Sequence, residues 1–279
     1  MASSTPSPAR GDTGRAWGNT AIGLVLMVFM LFPVYWMVNV SFQPGSAATA
    51  TDWFPSTFDF DGYAAAVRDQ GQNLITSLTV ALGSVAVSLL IATPAAYVLA
   101  HFKLRWAGPV LLGILVSQMI PGIVIANALY SAYNQLGLLN SVGGLIVADA
   151  SHGVPFAILI MLAFMRAIPP SLVEAARVDG AGHTRAFFSI VVPMSRNALI
   201  TAGLFTFLFA WSDFLFALTL TTTKTVRPVT LGLYQYLGAH VNDWSAVMAT
   251  ATLACIPAVL LLVAAQRYVA AGVAAGSVK

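Results

Sequence analysis

From residue 106 to residue 148 the chain carries no Asp, Glu, Lys or Arg. The run is too long for one membrane helix, which needs about 20 apolar residues. The turn-forming segment NQLGLLNSVGG (134–144) divides it, so two spans are expected, near 110–133 and 142–164. The same reading places further spans at 20–42, 74–100, 198–220 and 246–265. Lipid offers no hydrogen bonds, so each span must satisfy its backbone internally. Stretches of this length therefore predict an all-α, multi-pass membrane protein with six transmembrane helices.

Charge is scarce enough to exclude other classes. Only 8% of the residues are charged, against roughly 25% in a soluble domain, and a formal charge of +3 over 279 residues is too sparse for the basic footprint that nucleic acid requires. The single Cys255 rules out an intramolecular disulfide, and the 4 His occur singly, so no metal site is expected. The positions of the charges orient the chain, because Lys and Arg are retained on the cytoplasmic side. With the N-terminus inside, Arg10, Arg15, Lys103, Arg105, Arg166, Arg177, Arg185, Arg196, Arg267 and Lys279 are cytoplasmic, while Arg68, Lys224 and Arg227 are external. Both termini then face the cytoplasm. The Ser-, Pro- and Gly-rich residues 1–19 are expected to be disordered, residues 20–268 to form the transmembrane domain, and residues 269–279 to form a cytoplasmic tail.

The longest cytoplasmic segment, 166–196, has an organisation of its own. Pro169 and Pro170 stop the preceding helix, Ser171 can cap a new one, and Glu174 fits a reciprocal Ser-x-x-Glu capping box. Gly180 suits the helix end, where a positive φ is often required. A second short helix is expected over 183–191, ended by Pro193. The small pair Ala175 and Ala176 would let another protein approach the backbone closely, and Glu174 and Arg177 offer charges to it. Patterning alone fits an ordinary capped interfacial hairpin; the sharper reading is a docking element.

The string EAARVDGAGHTRAFFSIVVP (174–193) resembles the EAA loop of binding-protein-dependent ABC importer permeases, with Glu174, Ala175, Ala176, Gly180, Ile190 and Pro193 at that loop's positions. The segments at 33–42, 94–104, 137–146 and 207–220 are similar to the maltose-type carbohydrate permeases, as is the tail with Gly272, Gly276, Val278 and Lys279. Two departures stand out: Ser212-Asp213 replaces the Asn-Glu of many relatives, and the tail lacks a final Gly. The resemblance implies a bacterial cell-membrane subunit moving a sugar or oligosaccharide inward by alternating access. Its partners would be a homologous second permease, an ABC ATPase dimer and an extracytoplasmic sugar-binding protein. It also implies that the EAA loop docks on the ATPase, that the tail reaches the ATPase dimer, and that the external loop 221–245, with Tyr234, Gln235 and Gly238, meets the binding protein.

No catalytic residue is expected. The chain has no Gly-x-x-x-x-Gly-Lys phosphate loop, so ATP and Mg belong to the partner ATPase and no cofactor belongs to this chain. Gln118, Asn127 and Asp213 are candidates for the translocation path, because polar groups facing lipid are costly. An ion-coupled transporter would need intramembrane carboxylates, for which Asp149 and Asp213 are the candidates, but it leaves the EAA loop unexplained. Asp149 is expected at a solvated membrane edge. An intramembrane enzyme built on Asp149 with Asp213, or on Ser151 with His152, lacks any supporting motif.

Overall fold

The computed structural model describes residues 12–45, 52–223, 225–239 and 243–277, which form helices and connecting segments. The helices are α1 (Asp12–Ser41), α2 (Asp61–His101), α3 (Ala107–Ser117), α4 (Gly122–Leu136), α5 (Val142–Met165), α6 (Pro170–Val178), α7 (His183–Ala186), α8 (Val192–Met194), α9 (Arg196–Ser212), α10 (Leu215–Leu220), α11 (Val229–Ala239) and α12 (Trp244–Ser277). Among the described residues, α1, α2, α5 and α12 are each long and apolar enough to cross a membrane, and the count rises to six if each of two bent helix pairs is one span.

Two expected spans are interrupted. The helix expected over 110–133 breaks into α3 and α4, which meet at 94°. Pro121 is the cause: it lacks an N–H, and its ring disfavours helical geometry at Ile120 before it. The span expected over 198–220 breaks at Asp213 and Phe214. Asp213 takes an extended conformation, and its carboxylate accepts hydrogen bonds from the backbone N–H groups of Phe216 (3.2 Å) and Ala217 (3.0 Å) at the start of α10. The turn between α4 and α5 is as expected, with Gly137 at φ 67° closing α4 and the Ser141 side chain accepting from Gly144 N to open α5. The external loop expected over 221–245 contains α11, and Asp243 caps the start of α12 by accepting from Ala246 N at 3.1 Å.

The chain divides into two compact units, one of residues 1–66 with 240–252, the other of residues 67–239 with 253–279. In the first, Phe42 lies amid the rings of Phe58, Phe60 and Tyr63, and the Ser245 hydroxyl donates to Ser41 O at 3.3 Å. Along α1 every apolar side chain from Leu24 to Phe32 is exposed, a surface suited to lipid or to another membrane subunit. In the second, α5 packs along α9. Gly153 makes the close approach possible, since a Cβ there would lie 2.8 Å from Ser88 Oγ and 2.8 Å from Thr206 Cγ2. Around this contact Ala92, Ala96, Ala157, Met161, Met165, Ala198 and Ala202 form a core of small and flexible side chains. Small residues let membrane helices gain dispersion contacts where lipid supplies no hydrophobic drive.

Candidate functional site

The segment after α5 is built by local rules. Pro170 occupies the first position of α6, where its fixed φ fits and its missing N–H is not needed. The helix therefore starts two residues before the expected position: Pro169 is the cap, and Ser171, placed inside the first turn, makes no capping bond, so the expected capping box does not form. The far end is a complete Schellman turn. Ala181 N donates to Ala176 O at 2.9 Å, Gly180 N donates to Arg177 O at 3.1 Å, and Gly180 has φ 84°. The second helix also differs from expectation. It runs as α7, a π-helical turn (Phe187–Val191) and α8. Pro193 lies inside α8 and does not end it; lacking an N–H, it cannot complete the regular ladder, which accounts for the widened turn before it. The break falls at Ser195, where α9 departs at 74°.

α6 has two unlike faces. Pro170, Val173, Glu174 and Arg177 share one face and line a cavity of about 350 Å³ together with Tyr97, His101, Phe102, Lys103 and His183. The opposite face presents Leu172, Ala175 and Val178, the last 87% exposed. Glu174, expected to offer its charge outward, thus also faces back toward the end of α2, and the outward strip is apolar. Leu172 and Val178 were missed in the sequence, although their three-residue spacing through Ala175 marks one helix face. Ala176 and Ile190 are half-buried, and Pro193 is exposed. Rings tie this segment to the membrane helices: Tyr97 lies 5.1 Å from Phe187, and Phe102 lies 5.1 Å from His183, measured between ring centres.

A second cavity, also of about 350 Å³, lies near the opposite ends of α5 and α9 and is lined by residues that include Gly122, Asp149, His152, Ser212, Asp213 and Phe214. Sixteen residues separate Asp149 from Met165 along α5, a rise of about 24 Å at 1.5 Å per residue. Asp149 is not the solvated residue expected: it is 8% exposed and lines this cavity. Its burial follows from helical phase, which a hydropathy run does not record. Both interruptions contribute, because α4 begins at Gly122 and α10 begins just after Asp213, and the two helices pack together. Of the path candidates only Asp213 lines this cavity; Gln118 sits half-buried in the α3–α4 bend and Asn127 is exposed on α4. Tyr234 is exposed on α11 and packs edge-to-face on Phe214 at 5.3 Å. Gln235 and Gly238 follow in α11, and Gly272 and Gly276 lie in α12, with side chains outside the described set; Lys279 lies outside the described residues. No cluster of metal-ligating side chains occurs among the described residues.

The chain is similar along nearly its whole length to known permeases. The diacetylchitobiose uptake system permease protein DasC of Streptomyces coelicolor is 30% identical over 95% of this chain and 98% of that protein. The trehalose transport system permease protein SugB of Mycobacterium tuberculosis is 32% identical over 90% of this chain and 93% of its own. The fold matches a chain in the crystal structure of a bacterial ABC transporter involved in the import of the acidic polysaccharide alginate, with a TM-score of 0.80 at 22% identity, over 95% of this chain and 99% of that one. Residues 88–275 match the family model described as binding-protein-dependent transport system inner membrane component. The chain belongs to that family and is a membrane permease subunit of an ABC importer, not itself catalytic.

Proposed function

We propose that this chain moves a sugar or oligosaccharide into a bacterial cell, coupling through α6 to an ATPase dimer that supplies all of the ATP chemistry. The observation that carries this reading is the apolar strip of Leu172, Ala175 and Val178, held outward on a helix that a proline starts and a Schellman turn ends. A short helix of this kind is marginal alone in water, and exposed apolar surface on it suits a partner's cleft. Sugar as cargo is supported by the relatives named for diacetylchitobiose and trehalose. The remaining assembly follows the family: a homologous second permease, an extracytoplasmic sugar-binding protein, ATP and Mg on the ATPase, and both termini in the cytoplasm. A solved alginate transporter in complex with a periplasmic protein carrying an alginate pentasaccharide supports the binding-protein partner. In this assembly Glu174, Ala175, Ala176, Gly180, Ile190 and Pro193 form the ATPase dock. Gly272, Gly276 and Lys279 belong to a tail reaching the ATPase dimer, and Tyr234, Gln235 and Gly238 face the binding protein.

The mechanism implied by this geometry is a lever. Closure of the ATPase dimer on ATP draws α6 with it. The Schellman turn at Gly180 passes the motion to α7, and the ring contacts of Phe187 and His183 pass it to the end of α2. Placing a charge in the apolar strip tests the reading. Val178→Asp should insert normally yet fail to copurify the ATPase and abolish sugar uptake. Retention of both by a correctly inserted variant would rule out α6 as the dock.

A further inference from the structure

The turn between α4 and α5, residues 137–141, grips the segment that follows α10. Asn140 in this turn is the one non-glycine residue with a positive φ among the described residues, at 56°. Asparagine enters this left-handed region more readily than most side chains. From there its backbone N–H donates to Leu220 O at 3.0 Å, where α10 ends. Its side-chain oxygen accepts from the backbone N–H groups of Thr222 (2.7 Å) and Thr223 (2.8 Å) and from the Thr223 hydroxyl (3.0 Å), while its amide nitrogen donates to the Thr222 hydroxyl at 3.1 Å. Backbone N–H groups can only donate, so the oxygen must face them. One side chain thus clasps a segment that begins 82 residues further along the chain.

Under the clasp, Leu139 and Val142 pack with Tyr133 of α4 and with Phe216 and Leu220 of α10 in one apolar cluster. With 6 residues α10 is too short to stand alone, and it is held at its start by Asp213 and at its end by Asn140. Asp213, Leu215 and Phe216 also line the cavity beside Asp149. The other root of the connecting segment reaches the same wall, because the Thr230 hydroxyl at the start of α11 donates to Asp213 O at 2.6 Å. The clasp bonds are exposed, so water can replace them at little cost to the fold. What they supply is order in the segment they hold. We propose that Asn140 is a positioning residue for the extracytoplasmic binding protein. By fixing the point where the chain leaves α10, it pre-orders the external loop and makes it move with α10 and the α4–α5 turn, so that docking on the loop reaches the cavity wall. This rests on the reading above that residues 221–245 face the binding protein.

The test uses the complete transporter in lipid nanodiscs with its sugar-loaded binding protein. Asn140→Gly keeps the positive φ and removes the clasp, whereas Asn140→Asp keeps the accepting oxygen. In Asn140→Gly, half-maximal stimulation of ATP hydrolysis should need about ten-fold more binding protein, because the loop must then be ordered at docking, while basal hydrolysis stays unchanged. Asn140→Asp should restore most of the wild-type requirement. Hydrogen exchange reads the clasp without the binding protein: the Thr222 and Thr223 amides should exchange about ten-fold faster in Asn140→Gly and near the wild-type rate in Asn140→Asp. Unchanged exchange, an unchanged binding-protein requirement, equal damage from Gly and Asp, or a fall in basal hydrolysis as large as the loss of stimulation would overturn the proposal. A wild-type complex that the binding protein fails to stimulate would instead contradict the importer reading, and the exchange rates would still decide whether Asn140 orders the loop.

Discussion

The segment around α6 and the cavity beside Asp149 sit at opposite ends of α5, and they are built on opposite principles. The first is local: a proline at the first helical position, a glycine at φ 84°, and a break two residues past another proline. The second is assembled at long range from α4, α5, α9 and α10, and its two polar pairs, Asp149 with His152 and Ser212 with Asp213, lie tens of residues apart in sequence. In the proposed reading, the segment that would transmit force is the one specified by short-range rules.

The largest expected effect falls on the helix contact that joins the two ends. Gly153→Leu would drive a side chain into Ser88 and Thr206 on the neighbouring helices, an overpacking cost of about 1–3 kcal/mol or more. The detergent-solubilised variant should lose thermal stability and fail to assemble. Normal melting behaviour would show that α5 and α9 are not held this closely.

Next in size is the turn that ends α6. Gly180→Val forces a β-branched residue to φ 84°, at a cost of roughly 1–2 kcal/mol. No atom lies within 4 Å of a Cβ placed there, so the penalty is conformational and not steric crowding. ATPase copurification should fall and uptake should be lost, with insertion unchanged. Gly180→Asn, which tolerates the left-handed region better, should retain more of both, and equal damage from Asn and Val would point to a side-chain clash with the partner instead.

A smaller effect is expected at the cavity beside Asp149. Asp213→Ala removes the acceptor for two backbone N–H groups at the start of α10, worth about 0.5–2 kcal/mol for a helix cap. Asp213→Asn keeps an acceptor and should cost less. The measurement is the melting temperature of the purified permease complex, and equal losses for the two variants would mean that charge, not capping, is what Asp213 contributes.

The sequence made the α6 segment largely legible because its signals act within a few residues. Pro169, Pro170 and Gly180 bounded α6, and the error in its start was confined to Ser171, since Pro170 is itself a good first residue and displaced the expected cap by two. The charge-free runs located the helices able to cross a membrane, four among the described residues and up to six if each bent pair is one span, whereas the breaks within them were not legible. Pro121 lies in plain view, but the apolar run continues across it and hides the bend. Asp149 was misread for a related reason: distance along a span is visible in sequence, while the face on which a residue lies depends on which helices pack there. The pairing of α4 with α10 around Gly122 has no local signature at all.

The central claim is that an ATPase engages α6 while the other end of the chain faces the solute and its carrier. Cysteine crosslinking in the complete complex tests it most directly, in a Cys255→Ser background because Cys255 is exposed. Val178→Cys should crosslink to the ATPase subunit, and Tyr234→Cys should not, joining instead to the extracytoplasmic binding protein when the complex is trapped with ATP. A crosslink from Tyr234→Cys to the ATPase, or none from Val178→Cys in a verified assembled complex, would contradict the account.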